Sequence, residues 1–172
     1  MMEPILDLKG ISKQYSGVMA LENIDLAIQK GKIHSIVGEN GAGKSTLIKI
    51  ITGAVKPTTG SVFFRGSEVH ETNPRKSLEM GISAVYQEFN LISELKIYEN
   101  IFYGRELKKG LTLDAELMKQ RSDEVLKKIG MNMDTEIKLK YLGIGSRQTI
   151  EIAKALIQES EVVLFDEPTA SL

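Results

Sequence analysis

Apolar and polar residues alternate over Ile5-Leu6-Asp7-Leu8 and again from Ile24 to Ile28, the two-residue period of half-buried strands. Gly31 marks a turn, and the apolar run Ile33 to Val37 reads as a short strand buried in a sheet. A glycine-rich loop follows it. Leu47, Ile48, Ile50 and Ile51 then give a helical apolar face that ends at Gly53. Pro57-Thr58-Thr59-Gly60 is turn chemistry, and Ser61 to Phe64 predicts a strand. Asn73 caps a helix that starts at Pro74 and runs to about Met80, with a strand over Ile82 to Tyr86 after it. Leu113 to Ile129 predicts a helix, with Leu117, Met118, Arg121, Val125, Leu126 and Ile129 at three- and four-residue steps. Gln148 to Ile157 predicts another, through Ile150, Ala153, Leu156 and Ile157, before the closing strand Val162 to Phe165. The pattern is α/β with antiparallel strands near the start. The shift to helix over Phe89 to Leu142 marks an inserted helical subdomain.

A length of 172 residues suits one domain or slightly more, and 42% hydrophobic with 26% charged residues is ordinary globular usage. Lys and Arg number 22 against 23 Asp and Glu, so the footprint of a dedicated nucleic-acid binder is missing from the sequence. The absence of cysteine excludes disulfides, thiolate metal sites and Cys nucleophiles, and His34 and His70 alone cannot make a His-rich metal site. Met1-Met2-Glu3-Pro4 offers no secretory leader and no run approaches 18 apolar residues, which predicts a soluble cytosolic class.

Gly38-Glu39-Asn40-Gly41-Ala42-Gly43-Lys44-Ser45 fits G-x-x-x-x-G-K-[ST] in full, with Thr46 next. Glycines let successive N–H groups turn inward on phosphate oxygens, and a helix starting near Lys44 adds its positive dipole end. Lys44 would reach the β- and γ-phosphates and the Ser45 hydroxyl would ligate Mg²⁺. A random chain of this length matches with a probability of roughly one in a hundred, and here the match also lies between an apolar strand and an apolar helix. A second group of residues fits the same chemistry. Asp166 and Glu167 end the strand Val162 to Phe165, and ligands of open α/β sheets bind at the carboxyl ends of strands. Asp166 can hold the Mg²⁺ shell there and Glu167 can polarise the attacking water.

With these motifs the chain resembles an ABC-transporter ATPase domain over nearly its whole length. The resemblance implies a P-loop NTPase core over about residues 1–88 and 158–172, with an N-terminal antiparallel β subdomain, and a helical subdomain over about 89–157. It also implies that Tyr15 stacks on adenine, with Val18 against the ribose or base. Gln87, in Ala84-Val85-Tyr86-Gln87-Glu88, resembles the glutamine that contacts Mg²⁺ and the attacking water and communicates with the membrane subunit. Leu142-Gly143-Ile144-Gly145-Ser146 occupies the place of the family's Leu-Ser-Gly-Gly-Gln signature, which serves the nucleotide of an opposite domain. Glu99 to Glu106 and Phe165 to Leu172 resemble the carbohydrate importers among these proteins. That branch fuses two ATPase domains in one polypeptide. The resemblance then implies ATP and Mg²⁺ as cofactors, and membrane permease subunits and a second ATPase domain as partners. It also implies an indirect link to a periplasmic or extracellular sugar-binding protein, and a peripheral place on the cytoplasmic face of the membrane.

The chain departs from that pattern in two ways. Gly143 stands where the signature serine would be, and Ser146 where its glutamine would be, which weakens the hydrogen bonding offered to the opposite γ-phosphate without removing the backbone donors. The family's switch histidine, some thirty residues past the acidic pair, would lie beyond Leu172. The expectation is therefore a C-terminally truncated first domain that binds ATP and hydrolyses it poorly alone. Other readings are a non-hydrolytic ATP-binding module and a soluble ABC-type ATPase unconnected to transport. A GTPase fits poorly: Asp7-Leu8-Lys9-Gly10 spells D-x-x-G but precedes the phosphate loop, and no N-K-x-D occurs.

Overall fold

The first strand pair is set by its turn. β1 (Leu6–Tyr15) and β2 (Val18–Ile28) run antiparallel through Ser16 and Gly17, whose φ values are 42° and 91°. Two positive φ values in a two-residue turn match the right-handed twist of the flanking strands. Both strands are longer than the alternating runs predicted. Along β1, Leu6, Leu8 and Ile11 are fully buried, the break in alternation falling at an irregularity in the pairing with β2 between Leu8 and Ile11. A computed structural model describes residues 3–70, 73–86 and 90–166. The chain folds into two compact units, residues 1–84 and 85–172.

In the first unit β1 also pairs antiparallel with β3 (Thr59–Phe64), and β3 with the short β4 (Ser67–Glu68), giving the sheet order β2-β1-β3-β4. Helix α1 (Lys44–Ile51) buries Leu47, Ile48, Ile50 and Ile51, the face that the sequence predicts. Helix α2 (Pro74–Met80) begins where expected, with the Asn73 side chain accepting from the Lys76 N–H at 2.9 Å and proline in the first turn, where its missing N–H costs nothing. β5 (Ile82–Val85) follows. One expectation fails. Ile33 to Val37 is not a strand, and Ile33 and Val37 are 98% and 93% exposed. An apolar run signals burial only where strands flank it, and no described residue pairs with this one.

The second unit is mainly helical. α3 (Ile97–Ile101) is followed by a small hairpin of β6 (Lys108–Lys109) and β7 (Thr112–Leu113), then by α4 (Ala115–Lys128), capped by Asp114. A 3-10 turn over Leu139–Tyr141 leads into α5 (Ile144–Ile157), and β8 (Val162–Phe165) closes the described chain. Ile97, Ile101, Met118, Leu126, Leu139 and Ile150 form the centre of a core shared by the three helices. Asn100 is buried within it. Its amide accepts from the Ile92 N–H and donates to the carbonyls of Ile92, Leu95 and Lys96, satisfying a loop that would otherwise strand its backbone. The α4 face differs by one position from expectation: Ser122 is buried and Arg121 exposed. α5 starts four residues earlier than predicted, and its Leu156 is exposed. Among the described residues, no helix is long and apolar enough to cross a membrane.

Candidate functional site: a phosphate loop and its helix

The loop from Gly38 to Gly43 enters α1 through a glycine that no other residue can easily replace. Gly43 is the N-cap, with φ 89°, and as a glycine it has no side chain to cap the first N–H groups of the helix. A Cβ there would lie 2.6 Å from Leu21 Cδ2 and against the Ala20 carbonyl, which seats the loop on β2. Gly41 also has positive φ, 86°, and a Cβ there would meet nothing within 4 Å. The loop closes on itself through the Ala42 N–H donating to the Glu39 carbonyl at 3.1 Å. Lys44 completes it: Nζ donates to the carbonyls of Gly38 and Glu39 at 2.7 and 2.9 Å. The ammonium is thus held at the loop's own rim. Ser45 and Thr46 follow in the first turn, Ser45 exposed.

A helix N-terminus with a glycine cap, two glycines with positive φ and a positioned ammonium suit a chain of phosphates. The donor set also fits Mg²⁺ in the form that phosphates favour. Ser45 offers a hydroxyl in the first turn of α1 and Asp166 a carboxylate at the end of β8, the oxygen donors that Mg²⁺ takes together with phosphate oxygens.

Tyr15 and Val18 are register partners at the β1–β2 turn, 42% and 70% exposed. Val18 lies two and three residues before Ala20 and Leu21, the residues against Gly43, so the strand that starts at the hairpin end also backs the loop. Lys13 Nζ sits 5.0 Å from the centre of the Tyr15 ring.

The other candidates belong to the second unit. Asp166 is buried at the end of β8, its N–H donating to the Val85 carbonyl at 2.9 Å. Gln87 and Glu167 lie outside the described residues. Leu142 follows the 3-10 turn, Gly143 is the N-cap of α5, and Ile144, Gly145 and Ser146 form its first turn. Gly143 has φ −70° and ψ 169°, carries no side-chain cap, and has open space where a Cβ would stand. Arg147, absent from the sequence candidates, braces this segment by donating from Nε to the Leu142 carbonyl at 3.0 Å. No motif spacing marks it.

A glycine-rich loop leading into a helix beside an antiparallel hairpin is an arrangement that suits the phosphates of a nucleotide. The profile of the family described as ABC transporter matches residues 21–170, and the chain belongs to that family. It is 41% identical to the ribose import ATP-binding protein RbsA of Caldanaerobacter subterraneus subsp. tengcongensis, over 99% of this chain and 35% of that one. It is 43% identical to the arabinose import ATP-binding protein AraG of Yersinia pestis, over 98% and 32%. The chain therefore spans about a third of the length of these relatives. Its fold is similar to a nucleotide-free ATP-binding cassette from an ABC transporter, with a TM-score of 0.85 at 27% identity over 99% of this chain and 71% of that one. It is also similar to the ATP-binding cassette MJ0796 in a dimeric post-hydrolysis state bound to ADP and Pi, with a TM-score of 0.84 at 30% identity over 97% and 75%.

Proposed function

We propose that this chain binds Mg-ATP at Gly38–Thr46 and forms the first ATPase domain of a longer protein that energises import of a sugar. The observation that carries the reading is Lys44, held by two loop carbonyls at the start of a helix capped by glycine. Phosphate oxygens arriving there meet the α1 N–H groups and exchange with the carbonyls for the ammonium. Tyr15 stacks on the adenine and Val18 packs beside it. Ser45, Asp166 and Gln87 would hold Mg²⁺, which when bound neutralises charge on the β- and γ-phosphate oxygens. In hydrolysis the water oxygen bonds to the γ-phosphorus and the bond to the β–γ bridging oxygen breaks, with Glu167 accepting the water's proton. ADP and phosphate are the products. The residues at 142–146 face the nucleotide of a second ATPase domain, so turnover needs that partner while binding does not.

The printed names of the relatives support a sugar as cargo, and their length leaves room for a second domain. Such a protein works on the cytoplasmic face of the membrane against permease subunits, with a sugar-binding protein on the other side.

Calorimetry tests the reading. Mg-ATP binds in modest preference to GTP, and Lys44→Ala costs about 10- to 100-fold in affinity, the worth of a charge-assisted hydrogen bond of roughly 1.5–3 kcal/mol, with the circular dichroism unchanged. Unaltered affinity in that variant, or GTP binding without ATP binding, refutes the assignment. The full-length protein with its permease turns ATP over and the 172-residue chain does not. ATP binding without turnover in the full assembly would favour the non-hydrolytic module, the reading that Gly143 and Ser146 keep open.

A further inference from the structure

Tyr15 stands at the end of β1, where the sheet holds the strand least. The pairing of β1 with β3 stops at Ser12 and Thr59, three residues short of the ring. The pairing with β2 shifts register on both sides of Lys13. Irregular pairing twists a strand and re-aims its side chains, so the ladder by itself leaves the direction of the ring loosely set. The loop after α1 supplies a second hold. The Thr58 N–H donates to the Ser12 carbonyl at 2.8 Å, and the Gln14 N–H donates to Thr58 Oγ1 at 3.1 Å. Between them, Lys13 Nζ donates to the Lys56 carbonyl at 2.8 Å. The loop is itself fastened to α1 by the Val55 N–H, which donates to the Lys49 carbonyl at 3.0 Å.

Lys13 does more than tie the strand down. Residues two apart along a strand point to one face, and Lys13 Nζ stands 5.0 Å from the centre of the Tyr15 ring. Its ammonium therefore meets a carbonyl and a π face together. An exposed cation–ring contact is weak by itself, and a long lysine stem gives up rotamer freedom to make it. The bond to Lys56 has already removed much of that freedom. One face of the ring is thus occupied, and a flat base can stack only on the other. We propose that Lys13 is a positioning residue for nucleotide binding: pinned at the Lys56 carbonyl, it covers one face of Tyr15 and presents the opposite face to the base. The inference rests on the stacking role given to Tyr15 under the proposed function. A ring aimed in advance has less freedom to lose when a base arrives, so removal of the ammonium should weaken the hold on the base and spare the hold on the phosphates.

The test uses the whole chain and three measurements. The first reads the contact without nucleotide. The Lys13 side-chain methylene protons nearest Nζ should resonate upfield of an ordinary lysine, under the ring current of Tyr15, and return in Tyr15→Ala. Ordinary shifts in the parent overturn the proposal. The second compares Mg-ATP by calorimetry with inorganic tripolyphosphate by competition. Lys13→Met should weaken Mg-ATP about threefold and leave tripolyphosphate within 1.5-fold, while Lys13→Arg, which keeps a cation and a donor, should retain the parent affinity within 1.5-fold. Equal losses for both ligands would make Lys13 a charge that attracts phosphate, and equal losses in Lys13→Arg and Lys13→Met would remove the role of the cation; either overturns the proposal. Should Lys13→Met melt early, Lys13→Gln keeps a donor for the Lys56 carbonyl, drops the charge and carries the same decision. The third is a double-mutant cycle. Tyr15→Ala should cost at least fivefold in Mg-ATP affinity, and Lys13→Met should add nothing to it. Strictly multiplicative losses refute action through the ring. If Tyr15→Ala leaves Mg-ATP affinity intact while the upfield shift is present, the stacking role has failed and the contact has not; if Tyr15→Ala weakens binding and Lys13→Met does not, the stacking role stands and the positioning role falls.

Discussion

Gly43 and Gly143 occupy the same position in two helices, and the reasons for glycine differ. Each is an N-cap without a side-chain capping bond. Gly43 has φ 89° and a neighbouring strand in the way of any Cβ, so its backbone and surroundings both demand glycine. Gly143 has φ −70° and open space, so nothing in the backbone demands it. The glycine of the phosphate loop is therefore fixed by geometry, whereas the glycine that opens α5 is not, and a serine would fit in its place. A glycine in a motif tells little until its φ and its neighbours are known.

The largest effect belongs to Gly43→Ala. Forcing an L-residue into the left-handed region costs about 1–2 kcal/mol, and overpacking against Ala20 and Leu21 roughly another 1–3. At about 2–4 °C per kcal/mol for a chain of this size, the melting temperature should fall by roughly 5–15 °C, with ATP affinity down more than tenfold. A variant that melts normally and binds ATP would erase the contrast between the two glycines. Gly143→Ser comes next. Serine at an N-cap is better than glycine by only a few tenths of a kcal/mol, so stability should hold or rise slightly. Hydrolysis at the site served by this signature should rise by up to about tenfold if roughly 1.4 kcal/mol of transition-state contact is gained. Site-resolved turnover in the full-length protein measures it, and a fall in both rate and melting temperature would mean that Gly143 is constrained after all.

The smallest effect sharpens the comparison through acid. Lys140, in the 3-10 turn before Gly143, donates to both carboxylate oxygens of Glu94, at 3.2 and 3.0 Å. These hydrogen bonds, with the charge of Lys140 and a contribution from Lys138, hold the Glu94 carboxyl below its ordinary value of 4.5. A depressed carboxylate stabilises the fold above its unfolded pKa, and that contribution fades as the pH falls through the folded value. The pair is exposed and its worth is small. A side-chain carboxyl resonance for Glu94 should titrate below 4.5 and return toward it in Lys140→Ala. Amides of 139–145 should follow the titration and those of 44–51 should not. An ordinary midpoint for Glu94 would show that the turn is not braced in this way.

What the sequence revealed follows the range of the forces involved. The start of the α2 helix was legible because its cap and its proline are adjacent residues. The phosphate loop was legible because its chemistry is carried by consecutive residues. The extension of β1 to Tyr15 was not, because Lys9, Ser12, Lys13 and Gln14 break the apolar alternation, although Ser16-Gly17 is a hairpin signal in itself. Ile33 to Val37 misled because an apolar run records the burial of a strand among neighbours, and the described residues supply none. The hydrogen bond from the Asn90 N–H to Glu151 spans 61 positions and has no periodicity to betray it.

The bonds from Lys44 to Gly38 and Glu39 also bear on how the heat and entropy of nucleotide binding divide. A lysine side chain waving in water gives up about 2 kcal/mol of rotamer entropy when it is immobilised. Here two carbonyls have already arrested it, so that loss falls in folding and not in association. The incoming phosphates exchange one pair of acceptors for another, and the enthalpy they gain is a difference between two sets of charge-assisted bonds. The ammonium is thus ordered before any ligand arrives, and a ligand that takes it over would release only a modest net heat.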